Sequence, residues 1–478
     1  MLELDDIQHF LLTRPRAMAA RYGFLTFHEA AQSRAYLAGL LDRVGTGESV
    51  AHSTDLDARW VTIALTWNGL RALGVDESSL ATFPEEFRQG MAARAEILGD
   101  TGANHPDTWA GGLASPDLHA VVILFARDVA ERERCVHVHQ EYVVRFPSVQ
   151  ALSFLDLEAT PPYEYAHDHF GYRDRLSQPV VKGLDDIPMP GSGDALEPGE
   201  FFLGYPDEDG LSPPLPEPEI LARNGSYLAY RQLEEHVGRF REFLREHGKT
   251  TLEQEFVAAK LMGRWRSGAP LVLAPDRDDP DLGADMQRNN NFNYKQMDPV
   301  GYAVPLGSHI RRMNPRDTAA NMNRRRMIRR GGTYGRALPE GAAEDGLERG
   351  IAAFIGCASL IRQFEFAQNV WINDPKFHEL GNERDPIIGN QDGSFDFTMP
   401  KRPIRRKVTG LPAFTTVRGG AYFLLPGLRA LRWLTTLGES VESHNGAVMP
   451  TSPLDGGVGG ADWPVAERPV KGGGRSHV

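Results

Sequence analysis

The chain has 478 residues, 41% hydrophobic and 24% charged, with a formal net charge of −12. That length exceeds one typical domain and can bury a sizeable core, so two domains, or two halves of one large domain, are expected. The acidic balance disfavours nucleic acid or an anionic membrane as a partner, and Cys135 and Cys357 are too far apart for a metal knuckle or a disulfide framework.

From the N-terminus, Met1-Leu2-Glu3-Leu4-Asp5-Asp6 carries acid where a secretory leader carries base, and no long apolar run follows. The longest charge-free apolar stretch, Gly350 to Ile361, is too short to span a bilayer, so a cytoplasmic location is expected. Gly23 to Phe27 and Trp60 to Trp67 are rich in β-formers, and Ala31, Leu37, Leu40 and Leu41 recur between them at helical spacing. Leu118 to Ala126 predicts a strand, Val129 to Tyr142 a helix, and Val149 to Leu157 a further strand. The first half therefore fits a βαββαβ order, with a long insertion from Asn68 to Pro116 that is helical over Pro84 to Leu98.

Between Lys182 and Arg223 the composition shifts to Pro, Gly, Asp and Glu, which marks a linker or long crossing loop. Ser226 to Tyr230 then predicts a strand, and Leu233, Val237, Phe240 and Leu244 fall on one helix face. Phe256, Val257 and Leu261 suggest another helix, Ile351 to Phe354 a strand, and Leu360 to Val370 a helix. Ala421 to Leu425 gives a late strand before a helix over Leu428 to Leu437. The expected division is 1–181, a linker over 182–223, 224–452, and a flexible tail over 453–478.

The segment from Pro305 to Asp317 presents His309 on a turn, with arginines on both sides of Asn314-Pro315. Imidazole can bond iron through one ring nitrogen while the other is held by a hydrogen bond, and guanidinium groups suit carboxylates. Such a histidine can equally be an ordinary hydrogen-bonded surface residue.

Five segments in fixed order extend the pattern. They are Phe170-Gly171-Tyr172-Arg173-Asp174-Arg175-Leu176-Ser177-Gln178-Pro179, Leu261 to Pro270, the His309 segment, Arg325 to Gly331 with Tyr334-Gly335, and Thr416 to Phe423. Their combination over most of the chain resembles the dye-decolorising peroxidases, haem enzymes that use hydrogen peroxide. The resemblance implies an α+β fold of two ferredoxin-like units, with antiparallel sheets and surrounding helices, of the dimeric α/β-barrel type. It implies haem b seated mainly in the second unit, peroxide as oxidant, and dye-like, phenolic or other electron-rich aromatic reductants. A homo-oligomer is compatible with it.

Residue by residue, the resemblance makes Asp174 the distal acid-base group, Arg329 the distal cation and His309 the iron ligand, with Asp385 accepting the second N–H of His309. Arg311, and after it Arg324 to Arg326, are propionate candidates. Neighbouring carboxylates or propionates are also the expected partners of the basic run Arg402 to Lys407. Arg175 stands where the family has glycine, so an altered activity or pH profile is expected, with Arg175→Gly as its test. Trp371, Tyr334 and Tyr422 are candidates to relay oxidising equivalents, although packing alone explains such residues as well. The rival expectations are a haem carrier or iron-releasing protein on the same scaffold, and an oligomeric binding or shell-cargo protein tethered by the tail.

Overall fold

The computed structural model describes residues 1–12, 19–48, 61–159, 166–174, 176–184 and 195–438. Arg175, Trp60 and the 453–478 tail, singled out above, lie outside them. Strands β1 (Ala19–Phe27), β2 (Val61–Leu65), β3 (Ala120–Ala126) and β4 (Val149–Glu158) run antiparallel in the spatial order β4-β1-β3-β2. Helices Ala30–Ala38 and Val129–Val143 make the crossings, and each has an acidic cap. Glu29 accepts from the backbone N–H groups of Ala31 and Gln32, and Asp128 from that of Glu131, which satisfies donors left open in a first turn. This is the ferredoxin-like order expected from the alternation of β-rich and helical segments. Every residue of β3, Ala-Val-Val-Ile-Leu-Phe-Ala, is buried, as its uninterrupted apolar run requires.

The second half repeats the plan with β5 (Ser226–Glu235), β6 (Ile328–Tyr334), β7 (Gly350–Cys357), a separate hairpin of β8 (Phe397–Met399) and β9 (Arg406–Val408), and β10 (Thr415–Leu425). Its main strands lie in the order β10-β5-β7-β6, the same arrangement as the first half. Duplication too faint to see in the sequence is thus plain in the topology. The halves meet edge to edge at Leu424↔Leu65 and Leu157↔Tyr334, closing an eight-stranded barrel. Aromatic rings from both halves fill it. Phe354 lies 4.8 Å from Tyr230 and 5.2 Å from Tyr22 between ring centroids, so the two repeats share one interior.

Several details depart from the expected elements. Leu233 belongs to β5, and the following helix, Val237–His247, buries Val237, Phe240, Phe243 and Leu244. Strand β6 had no signal, because Arg329 to Gly332 have poor strand propensity; pairing with β7 imposes its extended form. The helix expected over Leu360 to Val370 is present as two wide π-type stretches, Leu360–Glu365 and Ala367–Asn373. The described part of the Pro/Gly-rich segment is irregular yet packed, with Phe201 and Phe202 buried against the barrel. The insertion after β2 folds into short helices and is fastened to the second half by two buried bidentate pairs. Arg231 donates to Asp100 at 2.7 and 2.9 Å, and Arg94 to Glu365 at 2.5 and 2.6 Å.

Candidate active site

His309 opens the short helix His309–Met313. Ser308, just before it, is fully buried and donates its hydroxyl to the Lys260 carbonyl at 2.6 Å, fixing the start of the turn against the helix Thr251–Met262. The His309 Nδ1 lies 2.9 Å from Asp385 Oδ2. Because an ionised carboxylate only accepts, Nδ1 carries the proton and Nε2 is left as a lone-pair donor. No described residue bonds Nε2, and the side chain keeps 23% of its surface open. The imidazole is therefore held from behind and free in front.

Asp385 is fully buried and serves two purposes. Its Oδ1 accepts from the backbone N–H groups of Ile387 and Ile388 at 2.9 and 3.0 Å, while Oδ2 takes the histidine proton. One carboxylate thus closes its own turn and holds the imidazole. Burial raises its pKa, but the His309 imidazole with its hydrogen bond, the Ile388 N–H and Arg312 outweigh that, so the net direction is downward.

Asp174 ends a tight hairpin. Asp168 N–H donates to the Tyr172 carbonyl at 3.1 Å, Gly171 turns at φ 93°, and Asp174 N–H donates to the Ala166 carbonyl at 2.8 Å. A side chain larger than hydrogen is disfavoured at that φ, which accounts for glycine at 171. The Asp174 carboxylate is exposed and makes no hydrogen bond to any other described residue.

Arg329 and Arg330 are adjacent on β6, so their side chains leave opposite faces. Arg330 donates to the Phe10 and Leu11 carbonyls at 3.0 and 2.5 Å, a structural tie to the N-terminal segment. Arg329 turns the other way and donates to the Leu176 carbonyl at 2.9 Å, two residues beyond Asp174. It is exposed, yet burial lowers its pKa while the Asp174 charge raises it. The Asp174 carboxylate is thus near enough for its charge to act on the Arg329 guanidinium.

Three further arginines gather around Arg329. Burial pulls Arg264 and Arg326 down to about 9, and the neighbouring charges of Arg316 and Arg329 push both the same way. Arg264, Arg326 and Arg329 have no carboxylate at ion-pair distance among the described residues. Arg316 sits at φ 52° and donates to the carbonyls of Asn290 and Phe292 at 3.1 and 2.9 Å. A left-handed arginine costs about 1 kcal/mol, which its local hydrogen bonds offset. Such a cluster favours an anion beside it. Arg316 was missed in the sequence, although its place seven residues after His309, just past Asn314-Pro315, was a usable signal.

Arg311, expected at a propionate, is instead committed to structure. It is 1% exposed, pairs with Asp298 at 3.2 Å, donates to the Val304 carbonyl at 2.9 Å and lies 4.3 Å from the Tyr294 ring centroid. Arg324 pairs with Asp209, and Arg325 packs over Phe366, so Arg326 alone of its triplet faces the cluster. Trp371 is buried against Phe366, Tyr334 donates to Glu348 at 2.9 Å, and Tyr422 donates to Glu365 at 2.8 Å.

Beneath the hairpin lies a carboxyl pair with no sequence signal. Glu235 is buried and accepts from His169 N–H at 3.1 Å, and Asp168 accepts from Tyr172 N–H at 2.8 Å. Burial, with the Asp174 charge adding to it, pushes Asp168 up to about 6. Burial, and then the charge of Asp168, raises Glu235 as well. A carboxyl whose folded pKa exceeds its unfolded value of 3.8 supports the fold fully below that pH, and its contribution is lost as pH rises towards about 6. Asp168→Asn is accordingly expected to flatten the fall in stability between those limits. With partial exposure screening the charge, the gain at neutral pH is on the order of 1–2 kcal/mol. Denaturant melts at several pH values check this, and an unchanged slope would show that Asp168 titrates normally.

The arrangement suits a porphyrin carrying iron and carboxylates: an imidazole nitrogen that no described residue bonds, backed by a carboxylate, a group of arginines of which Arg264, Arg326 and Arg329 have no described acid at ion-pair distance, and the Asp174 carboxylate near the Arg329 guanidinium. Comparison with known proteins agrees. A family model described as the DyP dimeric alpha+beta barrel domain matches residues 25–148. Peroxidase 2 of Mycetinis scorodonius is 31% identical over 461 residues, spanning 90% of this chain and 87% of its own. A dye-decolorizing peroxidase of Mycena epipterygia is 31% identical over 470 residues, spanning 90% and 86%. Among solved structures, a fungal DyP-type peroxidase from Auricularia auricula-judae superposes with TM-score 0.79 at 27% identity, covering 91% of this chain and 99% of that one. A dye-decolorizing peroxidase in complex with 2,6-dimethoxyphenol gives TM-score 0.79 at 26% identity, covering 90% and 99%.

Proposed function

The chain belongs to the dye-decolorising peroxidase family, a haem enzyme that reduces peroxide and oxidises aromatic compounds, and on that premise we propose which residues carry the reaction. His309 Nε2 is the iron ligand, and the cofactor is haem b. The observation that supports this most directly is the His309–Asp385 pair, which leaves one nitrogen held and the other open. Arg316 and Arg326 hold the propionates. Haem, when bound, supplies the iron at which peroxide is reduced and the oxidising power passed to the reductant.

The chain's own residues manage protons and charge. Asp174, which makes no side-chain hydrogen bond to any other described residue, would accept a proton from peroxide and give it back as the O–O bond is cleaved. Arg329 stabilises negative charge as the O–O bond breaks, and its hydrogen bond to the Leu176 carbonyl keeps it aimed without reorganisation. Reductants are phenolic or dye-like. Among the described residues no helix is long and apolar enough to cross a membrane. A cytoplasmic location fits the two free cysteines, Cys135 and Cys357.

Mixing the haem-loaded protein with hydrogen peroxide and 2,6-dimethoxyphenol tests the reading. Sustained formation of oxidised phenol is expected. Bleaching of the haem without product would point to a carrier instead.

A further inference from the structure

The hairpin that ends in Asp174 belongs to the first half, yet several of the contacts that hold it come from the second. Tyr172, two residues before the exposed Asp174, is buried and held at three points. Its backbone N–H donates to Asp168 Oδ1 at 2.8 Å, its hydroxyl donates to the Ala258 carbonyl at 2.8 Å, and the Arg266 guanidinium lies 5.2 Å from its ring centroid. Phe170, on the other side of Gly171, packs on Phe240 with centroids 4.7 Å apart.

Arg266 ties these contacts together. Its Nε donates to Glu255 Oε2 at 2.7 Å, which aims the guanidinium from the helix Thr251–Met262, and the guanidinium carbon lies 5.9 Å from the Phe240 centroid. Its carbonyl accepts from the Arg173 N–H at 3.0 Å, one residue before Asp174. A Cβ at Gly171 would come 3.2 Å from Arg266 Nη1, so glycine there also leaves room for the guanidinium. A planar guanidinium can rest on a ring while its edge meets a carboxylate, which a compact ammonium does less well. The same turn carries Arg264, which donates to the Gly268 and Asn289 carbonyls at 2.8 and 2.6 Å. One turn of the second half therefore sets both an arginine of the cluster and the hairpin of the first half. Because the Asp174 carboxylate bonds no other described residue, its placement depends on how firmly that hairpin is held.

We propose that Arg266 is a positioning residue for the acid-base step, clamping Tyr172 so that the hairpin presents Asp174 in one place. The inference rests on the reading of Asp174 as the proton carrier, and Arg266 itself takes no part in making or breaking bonds.

Stopped-flow mixing of haem-loaded variants with hydrogen peroxide tests it. Arg266→Gln, which removes the charge and the fork, should react about tenfold more slowly, since small misplacement of a reacting group is costly. Tyr172→Phe, which loses only the bond to Ala258, should slow the reaction by a smaller factor, and Arg266→Lys should recover part of the rate. All three should keep a normal haem content and an unchanged kcat/KM for 2,6-dimethoxyphenol. The decisive comparison is Asp174→Asn/Arg266→Gln. With the carboxylate gone there is nothing left to position, so the double variant should react as slowly as Asp174→Asn and no slower. An unchanged rate in Arg266→Gln while Asp174→Asn is impaired would overturn the clamp alone, as would a further tenfold loss in the double variant, the mark of general damage to the fold. Full reactivity of Asp174→Asn would instead overturn the acid-base reading on which the clamp rests.

Discussion

Replacing His309 with alanine is expected to yield a folded protein that no longer holds haem. The fold should persist because Asp385, the one described residue bonded to the imidazole, is fixed independently by the N–H groups of Ile387 and Ile388. Losing the imidazole leaves one oxygen of a buried carboxylate without its donor, a cost of about 1–3 kcal/mol. That is tolerable for a chain with this much core. Haem retention has no such reserve, because in the proposed scheme the iron is held through His309. The visible absorbance relative to protein absorbance should fall at least about tenfold, a loss typical when a metal site is disrupted. Added imidazole, small enough for the space vacated, should restore part of it. An unchanged absorption band in His309→Ala would show that another residue is the ligand.

Asp174→Asn and Arg329→Leu should separate chemistry from binding. Neither side chain is needed to seat the cofactor in the proposed scheme, so both variants should purify with a normal haem content. Peroxide reduction should fall by about 10²–10⁴ in Asp174→Asn, since asparagine cannot carry the proton. Arg329→Leu should lose about 10²–10³ by removing a preorganised cation from the charge that develops as the bond breaks. The double variant should be little worse than the poorer single one, because both act on one event. Stopped-flow mixing with peroxide reads all three. Full peroxide reactivity in Asp174→Asn would sink the proton-transfer role and favour haem carriage over turnover.

Much of this was legible in the sequence, and the residues show why. Strands with apolar runs, such as β3, declare themselves locally, as do helices with acidic caps. His309 stood out as a histidine on a turn flanked by arginines, while Asp385, Asp174 and Arg329 were reached through the resemblance of the ordered motifs. Strand β6 was invisible because its stability comes from β7 rather than from its own residues. The burial of Arg311 against Asp298 could not be foreseen either, since that partner stands thirteen residues away. The pairing of Asp168 with Glu235 depends on burial, which composition does not encode.

The closed barrel sets the scale of cooperativity. Each repeat supplies four strands to a wall whose aromatic filling belongs to both, and Phe354 of one half rests on Tyr22 of the other. The barrel interior is therefore common to both repeats, although the second also packs an apolar cluster of its own around Trp265, Phe292 and Tyr294. The unit that is repeated is smaller than the unit that folds, and the contact of Arg329 on β6 with the Leu176 carbonyl of the first half exists only once both have closed.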